Sequence, residues 1–269
     1  DMRGEESYIQ AEAAIAIAAQ DRVPFDQLME IRSPKSRDLD AGILIHNSDG
    51  SMAGACGNGM RCVVTYLSDH IQKNEFTFRT KAGILSANLL EDGRVCVDMG
   101  KPKLGWEDIP LAEEFFDTTK IELQIGPIDA PVLHSPSVAS MGNPHAIFWV
   151  DQDVNSYDLD RFGPLLENHP IFPERANITL AQVVSPTHII VRTWERGAGL
   201  TLACGSAACA TLVSAARKGL SERKAIITPP SGKDLEIEWN ENNHVLMSGP
   251  TEFEFSGKLD PATGTFERD

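Results

Sequence analysis

The sequence has no apolar run approaching the roughly 18 residues that a bilayer-spanning helix needs, and its opening, Asp1-Met2-Arg3-Gly4, lacks a signal-peptide pattern. These absences point to a cytoplasmic protein. Basic residues are scarce: 24 Lys and Arg stand against 39 Asp and Glu, for a net charge of −15. Such a field repels phosphate backbones and anionic lipid. Neither nucleic acid nor a membrane is therefore expected as a partner, while a small zwitterionic ligand is compatible. Cysteine is sparse and odd in number, five in the chain, which argues against a disulfide framework. No Cys-x2-Cys pair occurs. Cys56-x5-Cys62 and Cys204-x4-Cys209 lack zinc spacing, and no His pair stands near either, so no metal is expected. The same absence disfavours a thiol-redox protein. Asn177-Ile178-Thr179 fits a glycosylation acceptor, an accidental match in a cytoplasmic chain.

What is present is ordinary for a globular protein: 42% hydrophobic and 23% charged over 269 residues, enough for one large domain or two of usual size. Composition and periodicity predict a helix over 10–20, strands over 26–31 and 42–47, a turn at Asn47-Ser48-Asp49-Gly50, and a helix from Gly57 to about His70. Strands over 76–80, 83–90 and 94–99 follow, the last two joined by a Glu91-Asp92-Gly93 hairpin, and then a linker from Gly100 to Pro110. In the second half, strands are expected over 121–125, 131–134, 146–150, 177–184 and 188–195, with a helix over 158–167. A helix from Gly205 to Lys218, ended by Gly219, precedes strands over 224–228, 235–239, 244–248 and 251–255. Short, evenly spaced strands around one buried helix per half favour a rolled, mostly antiparallel sheet over a doubly wound parallel one.

Two stretches repeat each other: Ala55-Cys56-Gly57-Asn58-Gly59-Met60-Arg61-Cys62 and Ala203-Cys204-Gly205-Ser206-Ala207-Ala208-Cys209-Ala210. Each follows an apolar strand and opens a small-residue helix, and the two lie about half the chain apart. That pattern is the mark of an internal duplication with one cysteine from each half. A helix N-terminus offers unpaired N–H groups and a positive dipole end, which stabilise a thiolate and bind a carboxylate. Gly57 and Gly205 allow close backbone approach, and Asn58 and Ser206 add hydrogen bonds. Two such thiols, one base and one acid on opposite faces of a carbon, invert a stereocentre without a cofactor. Cys62, Cys96 and Cys209 read instead as small packing residues on apolar faces.

These motifs, with Asn47-Ser48-Asp49-Gly50, Gly142-Asn143-Pro144-His145, Ala176-Asn177-Ile178 and Glu195-Arg196-Gly197-Ala198-Gly199, resemble the diaminopimelate epimerase family over nearly the whole chain. The resemblance implies interconversion of LL- and meso-2,6-diaminopimelate, in lysine and peptidoglycan precursor biosynthesis, by an isomerase independent of pyridoxal phosphate and of any other cofactor. It implies an α+β fold of two pseudo-symmetric domains, each a mostly antiparallel sheet rolled about a central helix. The boundaries are expected at residues 1–112 with 250–269, and 113–249, with the active site in the cleft between the domains and a homodimeric assembly.

Carried over by position, Cys56 and Cys204 would exchange the roles of acid and base. Gly57, Asn58, Gly205 and Ser206 would hold the reacting carboxylate. Arg196 would take the distal carboxylate; Gln27, Asn47, Asn143 and Asn177 would fix amino and carboxylate groups; Glu195 and His145 would tune the thiols, Glu195 also contacting substrate. The other histidines are expected to be structural or at the surface. Family members also open with a strand bearing a Gly-x-Gly-Asn segment. None stands before Asp1 here, so an unpaired sheet edge, a missing ligand contact and reduced activity are expected. The competing readings are a racemase or epimerase of the same fold acting on proline or hydroxyproline, and a non-catalytic amino-acid-binding relative.

Overall fold

The computed structural model describes residues 1–20, 23, 25–54 and 56–269. Ala55, which opens the first cysteine motif, lies outside the described residues. The chain forms two compact units, Asp1–Val97 with Pro250–Asp269, and Asp98–Gly249.

In the first unit, helix α1 (Ala11–Ala18) precedes strands β1 (Gln27–Arg32), β2 (Ala41–Asn47) and β3 (Met52–Ala53), helix α2 (Gly57–His70), and strands β4 (Glu75–Thr80), β5 (Gly83–Leu89) and β6 (Val95–Asp98). β2 pairs antiparallel with β1 and β3 and parallel with β4; β4–β5 and β5–β6 are antiparallel. A parallel pair needs a crossover, and α2 supplies it. Met60, Val63, Val64 and Leu67 on α2 are buried, the i, i+3, i+4, i+7 spacing of one inward face. Truncating Leu67 to Ala would cost about 2–5 kcal/mol.

The second unit begins with β7 (Gln124–Ile125), β8 (Leu133–His134), β9 (Ser137–Ser140) and β10 (Pro144–Trp149), then helix α3 (Leu159–Glu167). It continues through β11 (Asn177–Ser185), β12 (His188–Glu195), β13 (Gly199–Leu200), helix α4 (Gly205–Arg217), β14 (Lys224–Thr228), β15 (Leu235–Trp239) and β16 (Val245–Gly249). Its pairing repeats that of the first unit. β12 is antiparallel to β11 and β13 and parallel to β14 across α4, and β14–β15 and β15–β16 are antiparallel. The duplication read from the cysteine motifs is thus a duplication of topology. β10 and β9 extend this sheet beyond β11, β10 running parallel to it. α4 is buried nearly all round, with Ala207, Ala208, Cys209, Ala210, Leu212, Val213 and Ala215 in the core. Its small side chains let the sheet wrap closely on the helix.

Several expectations need correction. Residues 251–255 form no strand; the last strands are β17 (Gly257–Leu259) and β18 (Phe266–Arg268), which pair with each other. The stretches over 121–125 and 131–134 shrink to the two-residue strands β7 and β8, and β9 was not anticipated because Ser137-Val138-Ala139-Ser140 is buried on both faces and shows no alternation. The supposed linker packs instead: Lys103 bridges Ser140, while Ile109 and Leu111 are core residues of the second unit. The cut between units therefore falls at Val97, earlier than the expected boundary after residue 112. Cys62 is exposed rather than packed, whereas Cys209 is buried and Cys96 half-buried.

Candidate active site

In the first unit, β1 and β2 are paired so that Gln27 faces Asn47. The Gln27 amide donates to Asn47 Oδ1 at 3.1 Å, and Asn47 Nδ2 donates to Ser51 Oγ at 2.9 Å. Ser51 is held in turn by Asp49, through Oγ at 2.6 Å and its N–H at 2.9 Å. This Asx-type turn, closed by Gly50 at φ 82°, fixes the end of β2. Cys56 is the N-cap of α2, in extended backbone, and its sulfur accepts the Gly59 N–H at 3.2 Å. The first turn of α2 carries no acidic residue, so no carboxylate of that turn offsets the positive helix end. Asn58 accepts from the Arg61 guanidinium at 3.2 Å. Gly59 has a packing reason to be glycine: a Cβ there would lie 2.5 Å from the Met29 sulfur.

In the second unit, Cys204 caps α4 in the same extended backbone, and Sγ lies 3.5 Å from Ser206 Oγ. Ser206 Oγ accepts from the Asn143 amide at 3.5 Å, and Asn143 Oδ1 lies 2.9 Å from His145 Nε2. His145 is fully buried. Because Nε2 faces a carbonyl oxygen, it carries the proton, and Nδ1 is a buried nitrogen with no hydrogen-bond partner among the described residues. Burial, aided by the Arg196 charge, drops its pKa to about 3, so the ring is neutral at physiological pH.

Asn177, at the head of β11, accepts the Arg196 N–H at 2.9 Å and donates to the Pro144 carbonyl at 3.0 Å. Arg196 Nη1 donates to the Glu174 carbonyl at 2.8 Å. Glu195 Oε1 accepts the Thr201 hydroxyl at 2.6 Å. Burial pushes the Cys204 thiol pKa far up, and the Glu195 charge pushes it further; a hydrogen bond from Ser206 opposes, one to Glu195 favours the protonated sulfur, and the Ala207 N–H opposes least. Cys204 is a thiol here, with its proton held toward a carboxylate.

Within the first unit the structure brings together Gln27 with Asn47, and Cys56 with the first turn of α2 that holds Gly57 and Asn58. Within the second it brings together Asn143, His145, Asn177, Glu195, Arg196, Cys204, Gly205 and Ser206. Thr201 was missed. The contact depends on the Glu195–Gly199 register of the β12–β13 pair, which returns the chain past Glu195 within two residues and has no mark in the sequence. Among the described residues no cluster of three His, Cys, Asp or Glu could hold a metal ion, and no helix is long and apolar enough to cross a membrane.

A family model described as diaminopimelate epimerase matches residues 10–105 and 137–254. Two curated relatives carry that same name. The one from Chelativorans sp. (strain BNC1) is 62% identical over 269 residues, covering all of this chain and 92% of the relative. The one from Rhizobium etli is 63% identical over 273 residues, covering all of this chain and 91% of the relative. Among solved structures, a hydroxyproline epimerase from Agrobacterium vitis with bound trans-4-hydroxy-L-proline is similar at TM-score 0.62 and 15% identity, over 90% of this chain and 78% of that one. A phenazine biosynthesis protein of the PhzF family from Bacillus anthracis is similar at TM-score 0.60 and 14% identity, over 90% and 88%. At such identity the likeness carries the fold alone: a mixed α and β architecture of extended sheet with few helices.

Proposed function

The chain belongs to the diaminopimelate epimerase family, and from that premise we propose that it interconverts LL- and meso-2,6-diaminopimelate as a cofactor-independent isomerase of lysine biosynthesis. The contrast between the two cysteines carries the reading. Cys56 accepts an N–H at a helix mouth, a role that suits a thiolate. Cys204 holds its proton beside Glu195. One base and one acid are what a two-base inversion requires before substrate binds.

In the forward step the Cys56 thiolate takes the α-hydrogen. The C–H bonding pair moves into the adjacent carboxylate, and the Cys204 thiol delivers its proton to the opposite face. Cys56 ends as thiol and Cys204 as thiolate, so the reverse reaction starts from exchanged roles, as microscopic reversibility demands. The carboxylate gains charge in the transition state. Backbone N–H groups at Gly57, Asn58, Gly205 and Ser206 are the donors we assign to that charge, where preorganised dipoles are worth most. Arg196 takes the distal carboxylate, for which its planar fork is suited, and Gln27, Asn47, Asn143 and Asn177 fix the amino and carboxylate groups. Neutral His145 and anionic Glu195 set the protonation of the second thiol. A homodimer in the cytoplasm belongs to the same proposal. The proline and hydroxyproline alternative is not favoured, since its support is likeness in fold at 15% identity.

Proton NMR of LL-diaminopimelate with the reduced protein in D2O tests the reading. The α-hydrogen signal should vanish as the meso isomer appears, and Cys56→Ala or Cys204→Ala should each lower epimerisation by about 10³-fold or more. An α-hydrogen signal that persists in the presence of the wild-type protein would refute it.

A further inference from the structure

The turn that carries Glu195 and Arg196 rests on a buried carboxylate outside the set assigned above. Glu167, the last residue of α3, is 5% exposed. Its Oε1 accepts the Gly197 N–H at 2.9 Å and Arg175 Nη1 at 3.1 Å, and its Oε2 accepts the Trp194 indole N–H at 2.7 Å. Two of these donors, Trp194 and Gly197, bracket Glu195-Arg196. The third belongs to Arg175, which sits at φ 60°, a conformation costly for a non-glycine residue and held by its surroundings. The Glu167 carbonyl accepts the Ala176 N–H at 3.3 Å. The segment so tied is the one whose Glu174 carbonyl receives the Arg196 guanidinium and whose neighbour Asn177 receives the Arg196 N–H. α3 is shaped for the contact as well: a Cβ on Gly163 would fall 2.4 Å from the Trp194 ring, so only glycine lets the indole lie on the helix.

A buried charge is a poor way to stabilise a fold. Well-packed apolar residues in its place are often neutral or better, and geometry that brings several donors onto one carboxylate specifies a conformation instead. We propose that Glu167 is a positioning residue: it ties the 194–197 turn to the 174–176 segment and thereby aims the Arg196 guanidinium at the far carboxylate of the substrate. This rests on the reading above in which Arg196 binds that carboxylate.

Glu167→Gln tests it, because the amide keeps the shape but turns one acceptor into a donor facing an N–H. In the substrate-free protein, hydrogen exchange over residues 195–198 should accelerate about tenfold. The KM for LL-diaminopimelate should rise about tenfold while kcat falls less than threefold, the pattern of lost uniform binding. Trp194→Phe, which removes only the indole N–H, should move KM the same way by a smaller factor, and it decides the matter if Glu167→Gln does not fold. Unchanged exchange, or faster exchange with KM unchanged, overturns the proposal; so does a loss confined to kcat. Arg196→Lys, run alongside, separates the two claims. If that change leaves KM unaltered, the role of Arg196 fails, while exchange in Glu167→Gln still reports whether Glu167 holds the turn.

Discussion

The two cysteine caps share backbone, topology and flanking residues, yet their thiols sit in opposite surroundings. In the first unit the ladder of β1 and β2 ends on Gln27 opposite Asn47, a neutral amide pair. In the second, Ile178 faces Trp194, so the ladder of β11 and β12 ends on Asn177 opposite Glu195. One position of the repeated framework therefore holds an amide in one unit and a carboxylate in the other. The carboxylate adds to the burial that raises the pKa of the nearby thiol, while the amide at the matching position brings no charge. Duplication supplies two similar helix mouths; at the second, burial first and the Glu195 carboxylate next raise the pKa of the thiol.

The strongest way to break this contrast is to remove the charge. Glu195→Gln should lower the Cys204 pKa, so that iodoacetamide modifies Cys204 about tenfold faster at pH 8, tenfold in thiolate being one pKa unit. Epimerisation should fall about 10²-fold, since the acid is then held less firmly in its protonated form. Installing the charge on the other side, by Asn47→Asp, should slow modification of Cys56 in the same assay. Peptide mapping by mass spectrometry reads both sites; identical labelling profiles for wild type and Glu195→Gln would show that Glu195 does not set the thiol.

A second contrast is between buried histidines. His46 in the first unit has a carboxylate partner, Glu30, at 2.8 Å, whereas among the described residues the hydrogen-bond partner of His145 in the second is the Asn143 amide alone. With a folded-state pKa of about 3 against 6.5 for an ordinary solvated histidine, His145 is neutral in both folded and unfolded chains above pH 6.5 and contributes no slope there. Below 6.5 the unfolded chain takes up a proton that the folded chain refuses. Stability should then fall by about 1.4 kcal/mol per pH unit down to about pH 3. His145→Gln should flatten this component of an acid titration followed by thermal melting; an unaltered slope would mean the buried ring accepts a proton.

The smallest expected effect compares two glycines. Gly163→Ala forces a methyl against the rigid fused ring of Trp194 and should cost about 2 kcal/mol or more. Gly59→Ala meets the flexible thioether of Met29, which can yield, and the helix propensity gained offsets part of the strain. Its melting temperature should move by less than about 1 kcal/mol in equivalent free energy. Equal losses would contradict the view that rigidity of the neighbour decides.

Much was legible in advance where the signal is local. Both cysteine helices begin at the glycine after the cysteine, as expected, because an extended cap before small residues is a short-range pattern. The strands over 188–195, 224–228 and 235–239 were placed by alternation and β-branched content. The segments that failed were those without a local rule: Ser137–Ser140, buried on both faces; 251–255, alternating like a strand but in no strand ladder, its Thr251 hydroxyl meeting Thr65 instead; and Gly100–Pro110, irregular in backbone yet packed through Ile109. Exposure of Cys62 failed for a related reason, since a helix position is buried only if something covers it.

Sequence alone carried the family resemblance, the two cysteine motifs, the helix mouths that hold them and the duplication relating them, all written in short contiguous motifs. Only the tertiary structure shows the burial and the Glu195 charge that raise the Cys204 pKa, and the Glu167 contacts to the turn bearing Arg196. Those properties depend on burial and on charges brought near by folding: Glu195 beside Cys204, Arg196 near His145, and Glu167 beneath Trp194 and Gly197. Electrostatic energies follow distance in space and local dielectric, and neither is recorded in the order of residues along the chain.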